Sequence, residues 1–401
     1  MVPIAKRMKF GAFIAPFHEP SSHPTLQLER DFQLVEWLEM LDYDEVWFGE
    51  HHSGGWEITS SPELCMAAAA HRTKRIRLGA GVITTPFHHP WLVADRIRQL
   101  DHITRGRAIF GVGPGSLPSD AYQMGIDTSR VRGMLDESIE PLVRLLRGEV
   151  VNWHTDWFTM REARLQLKAY SDQGVEIVTA SQVSPTGAKM AGKFGLGMLS
   201  LGATSAGGFN ALASNWAIAE EIAADNGTQV DRSAWRLVGP MHIAETREQA
   251  RADVQYGFHK WYDYFRNIAT LPVAPAGTDP LDDMIASGFV VIGTPDDAVA
   301  QLERLIEQSG GFGTFLHLAV NWADFAQTKR SYELFAQYVI PKINALNENR
   351  LASMEYLRTN RDGFAEVQKA AVAAQIEKYV TEKGDKNVSP DIQAAYNIKA
   401  H

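Results

Sequence analysis

The chain has 401 residues, 45% of them hydrophobic and 22% charged, enough to bury one large α/β core or two smaller ones. Its formal net charge of −9, with no basic block, argues against nucleic acid or an anionic membrane as partner. A single cysteine, Cys65, excludes an internal disulfide and any cysteine-based zinc cluster. In chain order, eight short apolar segments stand at 9–16, 45–52, 76–85, 108–115, 175–181, 197–204, 236–246 and 313–321. Stretches with helical spacing lie between them, at 28–43, 90–104, 131–148 and 295–310 among others. Apolar strands alternating with amphipathic helices predict parallel strands covered by helices, and eight such units predict an α/β fold of the (β/α)8 TIM-barrel type. A doubly wound open sheet is the rival, but a dinucleotide fingerprint is missing after the first strand. GVGPGS (111–116) lies on the fourth strand and lacks the third glycine, so its glycines read as close packing at a barrel rim.

The barrel is expected over 1–349, with two connections longer than usual. One, at about 149–174, could hold an extra hairpin; the other, at about 255–292, is aromatic and then rich in Pro, Ala and Gly, as a lid over the mouth would be. Residues 350–401 read as a charged helical extension, packed outside the barrel or against another subunit. No N-terminal stretch has the order of a signal peptide and no apolar run reaches the ~18 residues that span a bilayer. A cytoplasmic protein is expected. Cys65, in the small-residue run PELCMAAAA, reads as a buried structural thiol.

Barrels handle ligands at the C-terminal ends of their strands. Here those ends carry Glu50-His51-His52, Thr84-Thr85, Gly113 to Ser116, Ser181 to Gly187, Gly202 to Thr204 and Asn321-Trp322. Glu50 is the only acid among them, so a carboxylate pair for glycoside hydrolysis is not expected. A metal held by His51, His52, His88 and His89 is disfavoured, because adjacent strand residues point to opposite faces. His52 is expected to pack against the neighbouring strand, and the His88-His89-Pro90 run to cap the following helix. Glu50 either orients an imidazole or pairs with a barrel arginine. In ASQVSPTGAKMAGKFG (180–195) a Ser-Pro-Thr-Gly turn opens a helix. Free N–H groups and the hydroxyls of Ser184 and Thr186 would suit an anion, yet an ordinary N-cap by Ser184 with Pro185 at the first helical position would leave the same sequence. Trp56, Phe87, Trp261, Tyr262, Tyr264 and Phe265 read as core or lid packing, an aromatic wall that also suits a small apolar substrate.

EVWFGEHHSGGW (45–56), LGAGVITTPFHHPWLVADRIRQLDHITRGRAIFGVGPG (78–115), the turn at 180–195 and GTPDDAVAQLERL (293–305) occur in the order seen in bacterial luciferase-like flavin-dependent monooxygenases. The chain resembles that family over about residues 8–345, and within it is most similar to the limonene 1,2-monooxygenase group. The resemblance implies a barrel that binds reduced FMN, with FAD as a variant, and lets it react with O2 to a flavin peroxide. It further implies a separate NAD(P)H-flavin reductase, a small hydrophobic substrate (terpene-, ketone- or N-heteroaromatic-like) and a homodimer or higher homo-oligomer. By position, His51 matches the histidine near the reactive edge of the flavin, with Glu50 beside it. Ser184 and Gly187 match the phosphate turn, with one hydroxyl fewer at Gly187. Arg132 matches a residue that reaches the phosphate, and Gly113 lies on the glycine-rich rim. Pro114 departs from the family pattern there. Gly81 and Val82 match a non-proline cis peptide under the flavin ring. An imidazole tunable near neutrality can give a proton to the oxygenated flavin or take one from it. A deazaflavin-dependent oxidoreductase and a non-catalytic flavin-binding subunit are the alternatives on the same fold.

Overall fold

The computed structural model describes residues 7–269 and 279–399, in two compact units, 1–344 and 345–401. In the first unit eight parallel strands close on themselves. They are β1 (Lys9–Ile14), β2 (Glu45–Phe48), β3 (Arg77–Ala80), β4 (Ala108–Gly113), β5 (Glu176–Ser181), β6 (Gly197–Ser200), β7 (Trp235–Gly239) and β8 (Thr314–Ala319). Each pairs with the next, and β8 returns to β1, so no edge remains for another chain to pair with. Around them lie α1 (Pro24–Met40), α2 (Pro62–Arg72), α3 (Pro90–Thr104), α4 (Pro118–Gln123), α5 (Val131–Leu146), α6 (Thr186–Phe194) and α7 (Ala206–Asn226). α8 (Arg247–Val254), α9 (Phe258–Asn267), α10 (Pro280–Ala286), α11 (Pro295–Ser309) and α12 (Phe325–Leu334) follow. The predicted barrel is the fold. No helix among the described residues is long and apolar enough to cross a membrane.

Local chemistry sets the element ends. Ser61 accepts the Leu64 N–H before α2, and Thr294 with Asp297 forms a reciprocal capping box at α11. Two predicted strands are interrupted. The segment 76–85 stops at Ala80, passes a cis peptide at Gly81–Val82, and resumes as Ile83–Thr84 against β4. The segment 236–246 leaves the barrel after Gly239, because Pro240 has no N–H to offer a ladder. Met241–Ile243 instead pairs with Val291–Gly293 in a separate two-stranded sheet. Val151–His154 and Thr159–Ala163 form an antiparallel hairpin outside the barrel. Of the stretch read as a lid, α9 and α10 are seen, and 270–278 lies outside the described residues. The second unit is helical, with helices at Glu348–Thr359, Arg361–Lys383 and Pro390–Ala395.

Two layers fill the barrel. At its base the fully buried Arg236 guanidinium pairs with Glu45, Nη2 to Oε1 at 2.8 Å, and with Glu176, while Arg77 reaches Glu176 at 2.6 Å. Glu45 also accepts the Trp47 indole N–H at 3.0 Å. Trp47 then occupies the middle of the barrel, where Gly79 supplies the room: a Cβ there would overlap the indole. Phe13, Ile109, Val178, Leu199, Val238 and Leu316 complete this apolar plug, which supports the mouth from below.

The base network depends on both signs of charge. Removing one partner of a fully buried pair leaves the other uncompensated, so Arg236→Leu should cost about 3–5 kcal/mol in urea unfolding at pH 7. Burial would push the Glu176 carboxyl up, but Arg236 and Arg77 pull it down to about 2, from an ordinary value of 4.5. Its contribution is therefore present above pH 4.5 and is lost as pH falls toward 2. The gap between wild type and Arg236→Leu should narrow over that acid range, and a gap that stays constant would contradict this assignment.

Candidate active site

The C-terminal mouth is organised first by Glu50, which follows β2 and is buried. Its Oε2 accepts the Thr84 N–H at 2.6 Å, and its Oε1 receives His52 Nε2 at 2.9 Å and His88 Nε2 at 3.0 Å. Burial alone would raise this carboxyl, yet the donors from His52, His88 and Thr84 hold it down at about 2. Among the described residues Glu50 pairs with imidazoles and with no arginine, so of the two roles left open by the sequence it takes the first. The imidazoles it holds are those of His52 and His88, not that of His51. His52, expected to pack against the neighbouring strand, is instead an ion-pair partner of Glu50, with its ring edge on Phe87. His89 does cap α3: its Nδ1 accepts the Trp91 N–H at 3.2 Å.

His51 turns the other way and meets Asp120, with Nδ1 3.3 Å from Oδ2. Its N–H donates to the Thr59 carbonyl at 2.9 Å, and its ring stacks on Trp56 with centroids 6.0 Å apart. Asp120 also accepts the His52 N–H at 3.2 Å and the Ser53 hydroxyl, so one carboxylate clamps three successive residues. Burial would lower the His51 pKa, but Asp120, with the charges of Glu57 and Glu50, shifts it upward. With Nδ1 engaged, no described residue bonds Nε2, which is the nitrogen free to act. Asp120 is absent from the sequence reading, which took acids only from strand ends. The signal was there: SLPSD (116–120) follows β4 and opens α4 with Pro118 at its start, an acid in a helix first turn on the ligand-handling side of a barrel.

Gly81, Val82 and Gly113 form the floor between these groups. The Gly81 N–H donates to the Phe48 carbonyl at 2.7 Å, and a Cβ at Gly81 would overlap Phe13. The Gly81–Val82 peptide is cis, the conformation the resemblance implies for it. A Cβ at Gly113 would lie 2.7 Å from Val82 Cγ2, so the rim glycines are packing residues, as expected of GVGPGS.

On the opposite side, Pro185 rather than Ser184 occupies the N-cap of α6, and no side chain caps it. The N-cap reading of Ser184 is thus set aside. Its exposed hydroxyl lies 3.5 Å from that of Thr186, and the turn is tied down by Asn215 Nδ2, which donates to the Gln182 carbonyl at 2.8 Å. Gly187 is required by packing, since a Cβ would overlap the Ala180 carbonyl of β5. Arg132 is exposed in the first turn of α5. One turn further on, Asp136 feels the charge of Lys189 on α6, so this face of α5 looks toward α6. Trp56, Trp261, Tyr264, Phe265 and Trp322 are buried together in one apolar cluster, so core packing is what the structure gives these aromatics. Among the described residues no group of three or more His, Cys, Asp and Glu is placed to hold a metal ion.

An uncapped helix N-terminus, a cis Gly81–Val82 peptide and an imidazole whose Nε2 no described residue bonds all stand at strand C-terminal ends of the barrel. Residues 8–312 match the luciferase-like monooxygenase family. The chain is 47% identical to limonene 1,2-monooxygenase of Rhodococcus erythropolis, over 94% of this chain and 97% of that one. It is 42% identical to 4-hydroxyprotoasukamycin monooxygenase of Streptomyces nodosus subsp. asukaensis, over 87% and 95%. Among solved structures, the oxygenating constituent of 3,6-diketocamphane monooxygenase of Pseudomonas putida, a type II Baeyer-Villiger monooxygenase in complex with FMN, superposes with a TM-score of 0.70 at 24% identity. That match covers 84% of this chain and 99% of the other. The chain belongs to the luciferase-like monooxygenase family and is a flavin-dependent monooxygenase.

Proposed function

We propose that the mouth binds reduced FMN delivered by a separate reductase and uses O2 to oxygenate a small hydrophobic substrate. The observation that carries this reading is the uncapped N-terminus of α6, facing the same mouth as the free Nε2 of His51. The residues present fit the cofactor. A phosphate needs N–H donors, a hydroxyl and a cation, which the 184–187 turn and Arg132 supply. A flat ring needs a level floor, which the cis Gly81–Val82 peptide packed over Phe13 would supply. The FMN complex of the Pseudomonas putida enzyme supports FMN as the flavin.

When bound, reduced FMN supplies the electrons that activate O2. The chain's own residues would do the rest. Asp120 fixes the ring plane of His51 and leaves Nε2 to donate or accept a proton at the reacting edge. Glu50 engages Nε2 of His52 and of His88 and pins the Thr84 backbone, so that of the three His51 is the imidazole whose Nε2 no described residue bonds. The buried aromatic cluster of Trp56, Trp261, Tyr264 and Phe265 stiffens the wall behind Trp56, on which the His51 ring stacks. The names of the two relatives, a limonene and a protoasukamycin oxygenase, support a hydrophobic substrate.

Anaerobic titration with reduced FMN should saturate, and air plus an apolar substrate should then yield product carrying one added oxygen atom by mass spectrometry. His51→Ala should keep flavin binding but consume O2 without matching product; failure of the wild type to bind reduced flavin would refute the proposal. Ser184→Ala and Arg132→Ala should each weaken reduced FMN about tenfold, a loss of about 1–1.5 kcal/mol per contact. Neither should weaken reduced riboflavin, which has no phosphate. Glu50→Gln should cost about 2–3 kcal/mol of stability at pH 7. Because the folded carboxyl sits near 2 against an ordinary 4.5, that difference is full above pH 4.5 and should shrink as pH falls toward 2, read by urea unfolding at pH 7 and pH 3.

A further inference from the structure

Along the three helices of the second unit, Val380 is the one buried residue among those described. A helix in water draws most of its stability from packing an apolar face, so a 23-residue helix that buries so little calls for a covering surface. Its uncovered face is continuous. Gln368, Ala371, Val372, Gln375, Ile376 and Tyr379, with Val388 from the segment after the helix, line an open groove of about 500 Å3. The helix positions step by three and then by one, which is the i, i+3, i+4, i+7 stripe of a face that receives another helix. Phe364 lies one turn earlier on the same stripe and is 44% exposed, while Val372 is 37% and Tyr379 40% exposed.

This face reads the same from both ends. Outward from the midpoint between Ala371 and Val372, Gln368 mirrors Gln375, Phe364 mirrors Tyr379 and Arg361 mirrors Glu382, at steps of three, four and three residues on either side. At 3.6 residues per turn all of these positions lie within about 50° of one line along the helix. Turned end for end, the face therefore matches itself: glutamine meets glutamine, ring meets ring, and the cation at one end meets the anion at the other. That is what an isologous contact requires, in which residue i meets j and j meets i. We propose that this face of Arg361–Lys383 is a docking surface for a second copy of the chain, with the two helices antiparallel about a two-fold axis between Ala371 and Val372. The small Ala371 lets the helix axes approach to about 8 Å. Phe364 of each copy packs against Tyr379 of the other, and Arg361 pairs with Glu382 at both ends. Antiparallel macrodipoles add to the attraction. A partner of one charge sign would meet a like charge at one end of the stripe, and a parallel pair would set Arg361 beside Arg361 and Glu382 beside Glu382.

The test is disulfide cross-linking of the full chain in a Cys65→Ser background, so that one introduced thiol reports alone. Two copies of position 372 flank the axis about one residue apart, within reach of a disulfide, whereas two copies of position 364 stand about 15 residues or 22 Å apart along it. Val372→Cys should become a covalent dimer under mild oxidation on a non-reducing gel, and Phe364→Cys should stay a monomer. Without oxidant, Val372→Glu should raise the dimer dissociation constant at least tenfold by analytical ultracentrifugation, with helix content unchanged by circular dichroism. A Val372→Cys chain that stays monomeric would overturn the proposal, and is what a face covered by the rest of its own chain or by an unrelated protein would give. Equal cross-linking of Val372→Cys and Phe364→Cys would overturn it in favour of a parallel pair. An unchanged dissociation constant in Val372→Glu would overturn it in favour of a contact between barrels alone. No flavin enters these measurements, so their outcome is separate from the flavin reading.

Discussion

The mouth of this barrel is held by one carboxylate. Glu50 receives the Thr84 N–H, His52 and His88, and so ties the end of β2 to the segment after β3 and to the entry of α3. A buried carboxylate is tolerated only where donors replace the water it loses, and three donors do so here. Everything above the floor inherits that anchor. The Ile83–Thr84 bridge to β4 is fixed by it, and with it the cis Gly81–Val82 peptide beside which a flat ring would lie. His52 and His88 give Nε2 to Glu50, whereas the adjacent His51 gives Nδ1 to Asp120, and no described residue bonds its Nε2.

Beneath the anchor, charge and size are arranged in layers. The base of the barrel carries a closed set of opposite charges around Arg236, the middle carries Trp47 over the missing side chain of Gly79, and the top carries the glycines of the floor. The acids of the mouth differ in the same physical way. Glu50 and Asp120 have donors and are held in their charged forms, whereas Glu57 has none and is pushed toward its neutral form.

The barrel was legible because parallel strands buried on both faces read as continuous apolar runs, such as AIFGVG and TFLHLA, and because the helices between them have clear starts. The breaks were less legible: Pro240 announces the end of β7, but nothing in MHI says that it will pair with VIG some fifty residues on. The strand-end rule found Glu50 and His51. It missed Asp120, in the first turn of α4, which meets His51 only through tertiary structure. Glu50 was read with two open partners, and the outcome needed the position of His88, 38 residues away. The Ser-Pro-Thr-Gly turn was ambiguous for a local reason, since a cap and an anion site use the same residues; Pro185 at the N-cap sets aside only the cap by Ser184.

The central claim, that one mouth seats a flavin phosphate at α6 and its reacting edge at His51, is tested most directly by a crystal structure with reduced FMN bound under anaerobic conditions. The account predicts phosphate oxygens on the N–H groups of the 184–187 turn with Arg132 beside them. It also predicts the ring over Gly81–Val82, with Nε2 of His51 within hydrogen-bond reach of its edge. A flavin whose phosphate leaves that turn empty, or whose ring faces away from His51, would contradict it.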